Sequence, residues 1–149
     1  MLTRRTLLAA APAALLIPAA AQAANPPYYQ EGGVAIDGTD PTSYFTEGRP
    51  VAGDPDLTLH WQGATWRFAT VGARDQFERM PRSYAPAFGG YCAWAVSQGY
   101  IAPTVPEAWK IVDGTLYLNF SRRIQRRWER DIAGHIAQGK ANWPAVLTA

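Results

Sequence analysis

The sequence predicts a small, single α+β domain with two β-hairpins packed on helices. Three observations carry that prediction. Leu57-Thr58-Leu59-His60-Trp61 alternates apolar and polar residues, then turns at Gln62-Gly63 into Trp66-Arg67-Phe68-Ala69, the pattern of a half-buried hairpin over 57–70. Trp109-Lys110-Ile111-Val112 and Leu116-Tyr117-Leu118-Asn119-Phe120 flank Asp113-Gly114, a pair suited to a tight primed turn. Behind Ser121, a capping residue, Ile124, Trp128, Ile132 and Ile136 recur every four residues and form the apolar stripe of one helix.

In chain order, the first segment is a leader over 1–23. Arg4-Arg5 precede an uncharged run over 7–21, and Ala21-Gln22-Ala23 is a small-x-small cleavage site, so the segment reads as a twin-arginine export signal. Pro12 and Pro18 interrupt the run, which falls short of the ~20 residues a spanning helix needs. A periplasmic protein without a transmembrane segment in its mature form is expected. Residues 24–33, with Asn25-Pro26-Pro27 and Glu31-Gly32-Gly33 around Tyr28 and Tyr29, read as a tether, and 34–149 as the domain.

Val34-Ala35-Ile36 reads as a short strand ended by Asp37-Gly38. Asp40-Pro41 starts a turn or short helix through Tyr44 and Phe45, closed by Gly48. Thr70 is placed to cap a helix whose apolar face is Phe77 and Met80 and which Pro81 closes. Residues 85–106 are rich in Gly, Pro and aromatics without a sustained period, which predicts a structured functional loop. Gly134 is expected to bend or break the last turn of the final helix.

Apart from Arg4 and Arg5, basic and acidic residues balance, so the sequence pI of 8.8 is partly a property of the leader and argues for no nucleic-acid partner. Six tryptophans, seven tyrosines and five phenylalanines, all beyond the leader, supply the buried area of a domain that has no internal disulfide, Cys92 being the only cysteine. There is no phosphate loop, dinucleotide fingerprint, paired-His zinc motif, nucleophile elbow or catalytic acidic pair.

Cys92 is the main candidate for chemistry. Gly89-Gly90 lets the backbone before it turn sharply or approach a ligand closely, and a pocket lined by aromatics such as Tyr91, Trp94 or Trp66 is expected around its sulfur. His60 falls on the solvent face of its strand, opposite Leu57, Leu59 and Trp61, and reaches Cys92 only if the Gly-rich loop folds over that hairpin. His135 reads as a charge offered to the end of the last helix. Arg122, Arg123, Arg126, Arg127 and Arg130 form a basic band, partly offset by Glu129 and Asp131, which is either a solvated face or a surface for an anionic lipid or acidic partner.

Taken together, Gly38-Thr39-Asp40-Pro41 with Tyr44-Phe45, Gly63-Ala64-Thr65-Trp66-Arg67-Phe68-Ala69, Phe77 with Pro81 and Tyr84, Tyr84-Ala85-Pro86-Ala87-Phe88-Gly89-Gly90-Tyr91-Cys92-Ala93, Asp113-Gly114-Thr115-Leu116-Tyr117-Leu118-Asn119 and Asn142-Trp143-Pro144 resemble the exported YHS domain-containing (seleno)proteins. The resemblance spans nearly all of 33–144 and implies a YHS-like fold. It also implies a metal-handling ancestry in which Asp-Pro-x-Cys and Phe-Cys-Ser segments supply thiolates. Here Ser43 and Ala69 replace both thiols, which leaves too few ligands for a tetrahedral zinc site. Some members of the group carry selenocysteine at the place of Cys92, which implies chemistry at that atom.

The leading expectation is an exported binding module, not an enzyme, that holds a soft metal, most plausibly a copper ion, through Cys92 with His60. Thiol or selenol redox work at Cys92 with a partner thiol is the first alternative, and a non-catalytic interaction domain the second. The partners these readings name are a metal ion or a small thiol, and the protein partner is left open.

Overall fold

Residues 23–149 are described by the computed structural model, and the expected leader over 1–22 lies outside the described residues. The described chain begins with a clasp: the backbone and side-chain N–H groups of Asn25 both donate to Leu147 O, at 2.9 and 3.1 Å. Tyr28 packs on Trp61 and Trp66 with ring centroids 5.3 and 5.2 Å away. Tyr29 is buried and donates its N–H to Gly89 O. The stretch over 24–33, expected as a tether, is therefore built into the domain. Its two tyrosine rings find apolar partners that hold it there.

β1 (Gln30–Glu31), β2 (Val34–Ala35), β3 (Asp54–Trp61) and β4 (Ala64–Phe68) form one sheet in the order β1-β2-β4-β3. The β3–β4 hairpin was expected over 57–70; β3 starts earlier and its register shifts between Asp54 and Thr58. β2 meets β4 in parallel through Val34 and Thr65, a single rung that no sequence period announces. Between β2 and β3 runs the short helix α1 (Ser43–Thr46). Ala64, Trp66 and Phe68 on β4 point inward and are fully buried, with Trp66 and Phe68 each 5.2 Å from the Phe77 ring of α2 (Val71–Arg79).

Thr70 caps α2 as expected, its Oγ1 accepting the Ala73 N–H at 3.1 Å. Met80 departs from expectation: it lies past the last turn of α2 and is half exposed. Pro81 opens the next turn, α3 (Pro81–Tyr84), at the position where a missing N–H breaks no helical bond. Residues 85–106 are ordered, with a 3-10 turn over Ala87–Gly90 and a short helix α4 (Ala93–Ser97). Gly89 has φ +62°, and a Cβ there would overlap the Pro27 carbonyl oxygen. What approaches Gly89 closely is the chain's own N-terminal segment, while Gly90 is met by Ile36 and Pro86.

β5 (Trp109–Val112) and β6 (Thr115–Leu118) form the second hairpin, with Asp113 and Gly114 at φ 50° and 76° as a primed turn requires. Leu116 and Leu118 face the core. The final helix is not continuous. α5 (Arg122–Trp128), capped by Ser121, gives way to a 3-10 turn over Glu129–Asp131 and then to α6 (Ile132–Asn142). The break is made by Asp131, whose Oδ1 accepts the Gly134 N–H at 3.0 Å and starts a new helix. A Cβ on Gly134 would overlap that carboxylate, so the glycine marks a helix start and not a weakened last turn. α4 packs on α6, and Asn142 Nδ2 donates to Val96 O at 2.8 Å, covering the end of α4.

The result is the α+β domain expected, with a four-stranded sheet and a two-stranded hairpin packed with helices. Among the described residues no helix is long and apolar enough to cross a membrane.

Candidate functional site

Cys92 sits at the junction between the 3-10 turn and α4. Its N–H donates to Ala102 O and its carbonyl accepts the Val96 N–H, both at 3.0 Å, so its backbone is fixed on both sides. The residue is 1 % exposed. Its Sγ accepts the Phe120 N–H at 3.3 Å and donates to Asn119 Oδ1 at 3.5 Å. Asn119 is itself fully buried; its Oδ1 also accepts the Trp94 N–H at 3.1 Å, and its Nδ2 has no partner among the described residues. Its main chain is anchored to Ala108 O and to the Val105 N–H.

Burial pushes the Cys92 thiol up from its ordinary value of 9.0, and the N–H groups of Ala95, Phe120 and Trp94 offset this only in part. The sulfur is therefore protonated at neutral pH. The same N–H groups are already in place for negative charge that develops on it.

Cys92 lines an apolar cleft of about 330 Å³ together with Trp94, Ala95, Tyr100, Ala102, Phe120 and Ile124. Of the expected pocket residues, only Trp94 is in this wall. Tyr91 turns the other way and donates its hydroxyl to Pro26 O at 2.8 Å. Trp66 belongs to the core of the first sheet and donates Nε1–H to Trp61 O. Gly89 and Gly90 line no part of the cleft. His60 is exposed on β3, with Nδ1 3.5 Å from Thr65 Oγ1, and is likewise absent from the wall. The segment carrying Cys92 binds the end of the second hairpin through Asn119 and Phe120, so the Cys-His pair is not assembled.

These surroundings do not fit a copper ion. A soft cation needs further N or S lone pairs, whereas the sulfur faces an N–H donor, a side-chain amide and hydrocarbon. Among the described residues no group of three or more His, Cys, Asp or Glu is placed to hold a metal ion. His135 is also displaced from its expected role. It lies in the first turns of α6, and its Nδ1 is 3.2 Å from Ser97 Oγ. That hydroxyl donates to Trp94 O at 2.6 Å, so His135 is the donor and ties α6 to α4.

The segments around Asp40 and Ala69 meet in space. Asp40 is 2 % exposed; its Oδ1 accepts the N–H and Oγ1–H of Thr42 at 2.9 and 2.8 Å, and its Oδ2 accepts the Ala69 N–H at 2.9 Å. Ser43 Oγ donates to Asp40 O at 2.7 Å and accepts the Val51 N–H at 3.0 Å. One carboxylate and one hydroxyl thus join chain segments distant in sequence.

No family model, curated protein or solved structure matches the chain significantly. The groups that sequence reasoning missed are Asn119 and the Phe120 N–H. Asn119 carried a signal: it is a polar residue within an otherwise apolar strand end, two positions before a capping serine.

Proposed function

We propose that this chain is an exported, YHS-like thiol module in which Cys92 Sγ is the reacting atom and the apolar cleft is the approach for a partner's sulfur. The observation that carries the reading is the end of the cleft: a buried sulfur holding a backbone N–H from Phe120, beside the buried amide of Asn119. The N–H groups favour the sulfur anion at the moment of attack, and the hydrocarbon walls select an apolar reactant. The selenocysteine implied at this place by the family resemblance supports the same reading.

In the exchange, the Cys92 thiolate attacks one sulfur of an apolar disulfide. A mixed disulfide to Cys92 forms, so Cys92 is oxidised, and the other half leaves reduced, as a thiolate that takes up the proton Cys92 lost. A second small thiol releases Cys92 by the same step, since this chain holds no resolving cysteine. Copper binding is not carried forward, because the donors around the sulfur do not support it.

Two disulfides test the reading: neutral, aromatic 2,2′-dipyridyl disulfide and hydrophilic oxidised glutathione, each rate divided by that for free cysteine. The aromatic reagent is expected to be favoured about tenfold or more, as cleft burial of one ring predicts, with the adduct mapped to Cys92 and the rate flat in sub-denaturing urea. Equal normalised rates that climb with urea as global unfolding does would mean that the sulfur is reached only through unfolding, and the interaction-domain reading would replace this one.

A further inference from the structure

We propose that the arginine face of α5, together with exposed Phe120 and Tyr100, is a docking surface for an anionic lipid bilayer. On a helix that turns by 100° per residue, Arg122, Arg123, Arg126 and Arg127 fall within an arc of about 140°, and Arg130 follows in the 3-10 turn after α5. The other side of α5 carries Trp128, which is fully buried, and Ile124, about 60° beyond Arg127 at the edge of the band, walls the cleft. All five arginines are exposed.

The two acids that could neutralise this band are engaged elsewhere. Glu129 Oε1 accepts from Lys110 Nζ at 3.3 Å and from Gln125 Nε2 at 3.1 Å, and Asp131 Oδ1 caps α6. Among the described residues, none of the five arginines has a carboxylate within ion-pair distance; the ion pairs found there are Arg74–Asp75 and Lys110–Glu129. Because basic and acidic residues balance beyond the leader with these five arginines included, the band is a local excess of positive charge and not the expression of a basic protein.

Apolar side chains continue the same surface. Phe120, 51 % exposed, immediately precedes the α5 cap, and Tyr100 is 47 % exposed; both stand at the mouth of the cleft. The Arg127 guanidinium lies over the Trp94 ring at 5.3 Å, so charge and aromatic wall are in contact. Guanidinium groups beside exposed aromatic rings match the boundary between anionic headgroups and acyl chains: the cations meet phosphate while the rings enter the apolar layer. A nucleic acid would share the phosphate contacts. The cleft beside the rings, however, is walled by aliphatic Ala95, Ala102 and Ile124, which suit an acyl chain and give a stacked base no further aromatic face. The bilayer is the occupant that uses both halves of the surface. This proposal does not rest on reactivity at Cys92.

The test is co-sedimentation of the protein, purified as the producing cell processes it, with phosphatidylcholine vesicles made with and without phosphatidylglycerol. Binding is expected only with phosphatidylglycerol and should weaken as salt is raised. Charge reversal in Arg123→Glu/Arg126→Glu should weaken it at least about tenfold, and Phe120→Ser should weaken it at moderate salt. Circular dichroism and melting serve as fold controls, Tyr100→Ser stands in should Phe120→Ser unfold, and Cys92→Ala should bind as wild type does. Absence of binding to phosphatidylglycerol vesicles overturns the proposal, as does indifference to both the charge reversal and the aromatic substitutions. Equal binding to single-stranded DNA or polyglutamate at the same ionic strength, with the aromatic variants unaffected, assigns the surface to that other class and also overturns it.

Discussion

The Oδ2 of buried Asp40 accepts the Ala69 N–H at 2.9 Å, joining residues 29 positions apart in the chain. Its Oδ1 holds Thr42 through both the main-chain N–H and the hydroxyl. Each of these three bonds to a side chain of so little exposure needs an acceptor oxygen. Asp40→Asn therefore sets an NH2 group against an N–H donor, whichever way the amide turns. A loss of about 2–4 kcal/mol is expected, read as the shift in urea midpoint at unchanged slope. A midpoint equal to wild type would show that the carboxylate is not what joins these segments.

Cys92 predicts a pH profile. Burial holds its folded thiol above the ordinary value of 9.0, so the folded chain keeps this proton more tightly than the unfolded chain does. The stabilisation is complete below the unfolded thiol pKa and is lost as pH rises through that value towards the folded one. Relative to Cys92→Ala, the wild type should lose melting temperature between about pH 8 and pH 10, and alkylation by iodoacetamide should be slow near neutrality and still accelerating above the ordinary thiol range.

Asp37 works in the opposite practical sense at neutral pH. Its carboxyl is raised from 3.8 first by burial and then by Glu31 and Glu107, with the Tyr29 hydroxyl bond pulling it down. The favourable proton is bound only at low pH, so its stabilisation is lost as pH rises through the folded value, and the charged form opposes folding above it. Asp37 has φ +56°, a conformation asparagine tolerates, and Oδ1 of an asparagine still accepts from Tyr29. Asp37→Asn should raise the neutral-pH melting temperature slightly, by no more than about 2 °C given its partial exposure, and the gain should vanish in acid.

Gly89→Ala tests the packed N-terminal segment. The substitution imposes a Cβ at φ +62° and drives it into Pro27 O. A loss of about 2 kcal/mol or more is expected, together with faster hydrogen exchange at the Tyr29 N–H, which donates to Gly89 O. Unchanged exchange at Tyr29 would show that the segment is held by its rings alone.

Where the fold was legible in the sequence, local chemistry dictated it. Asp113-Gly114 supplied two left-handed residues in a row, and Thr70 and Ser121 stood where helix N–H groups needed acceptors. Periodicity failed where one side chain redirects the chain: the spacing from Ile124 to Ile136 runs through the break that Asp131 makes, because apolar spacing records the face and not the continuity. Cys92 was visible as the chain's only thiol. Its surroundings were not, since Asn119 and Phe120 reach it from 27 and 28 residues away and their relevant atoms include a main-chain N–H that no residue type reveals.

The clasp between Asn25 and Leu147 has a consequence for how the molecule is made. The two residues are 122 positions apart, so during synthesis the first of them waits for almost the whole domain to emerge before it finds its acceptor. Tyr28 and Tyr29 wait beside it, because the Gly89 carbonyl and the Trp61 and Trp66 rings also come later in the chain. A chain in which Leu147 has not yet joined the fold should therefore carry an unfastened N-terminal segment, open to proteases until that contact forms.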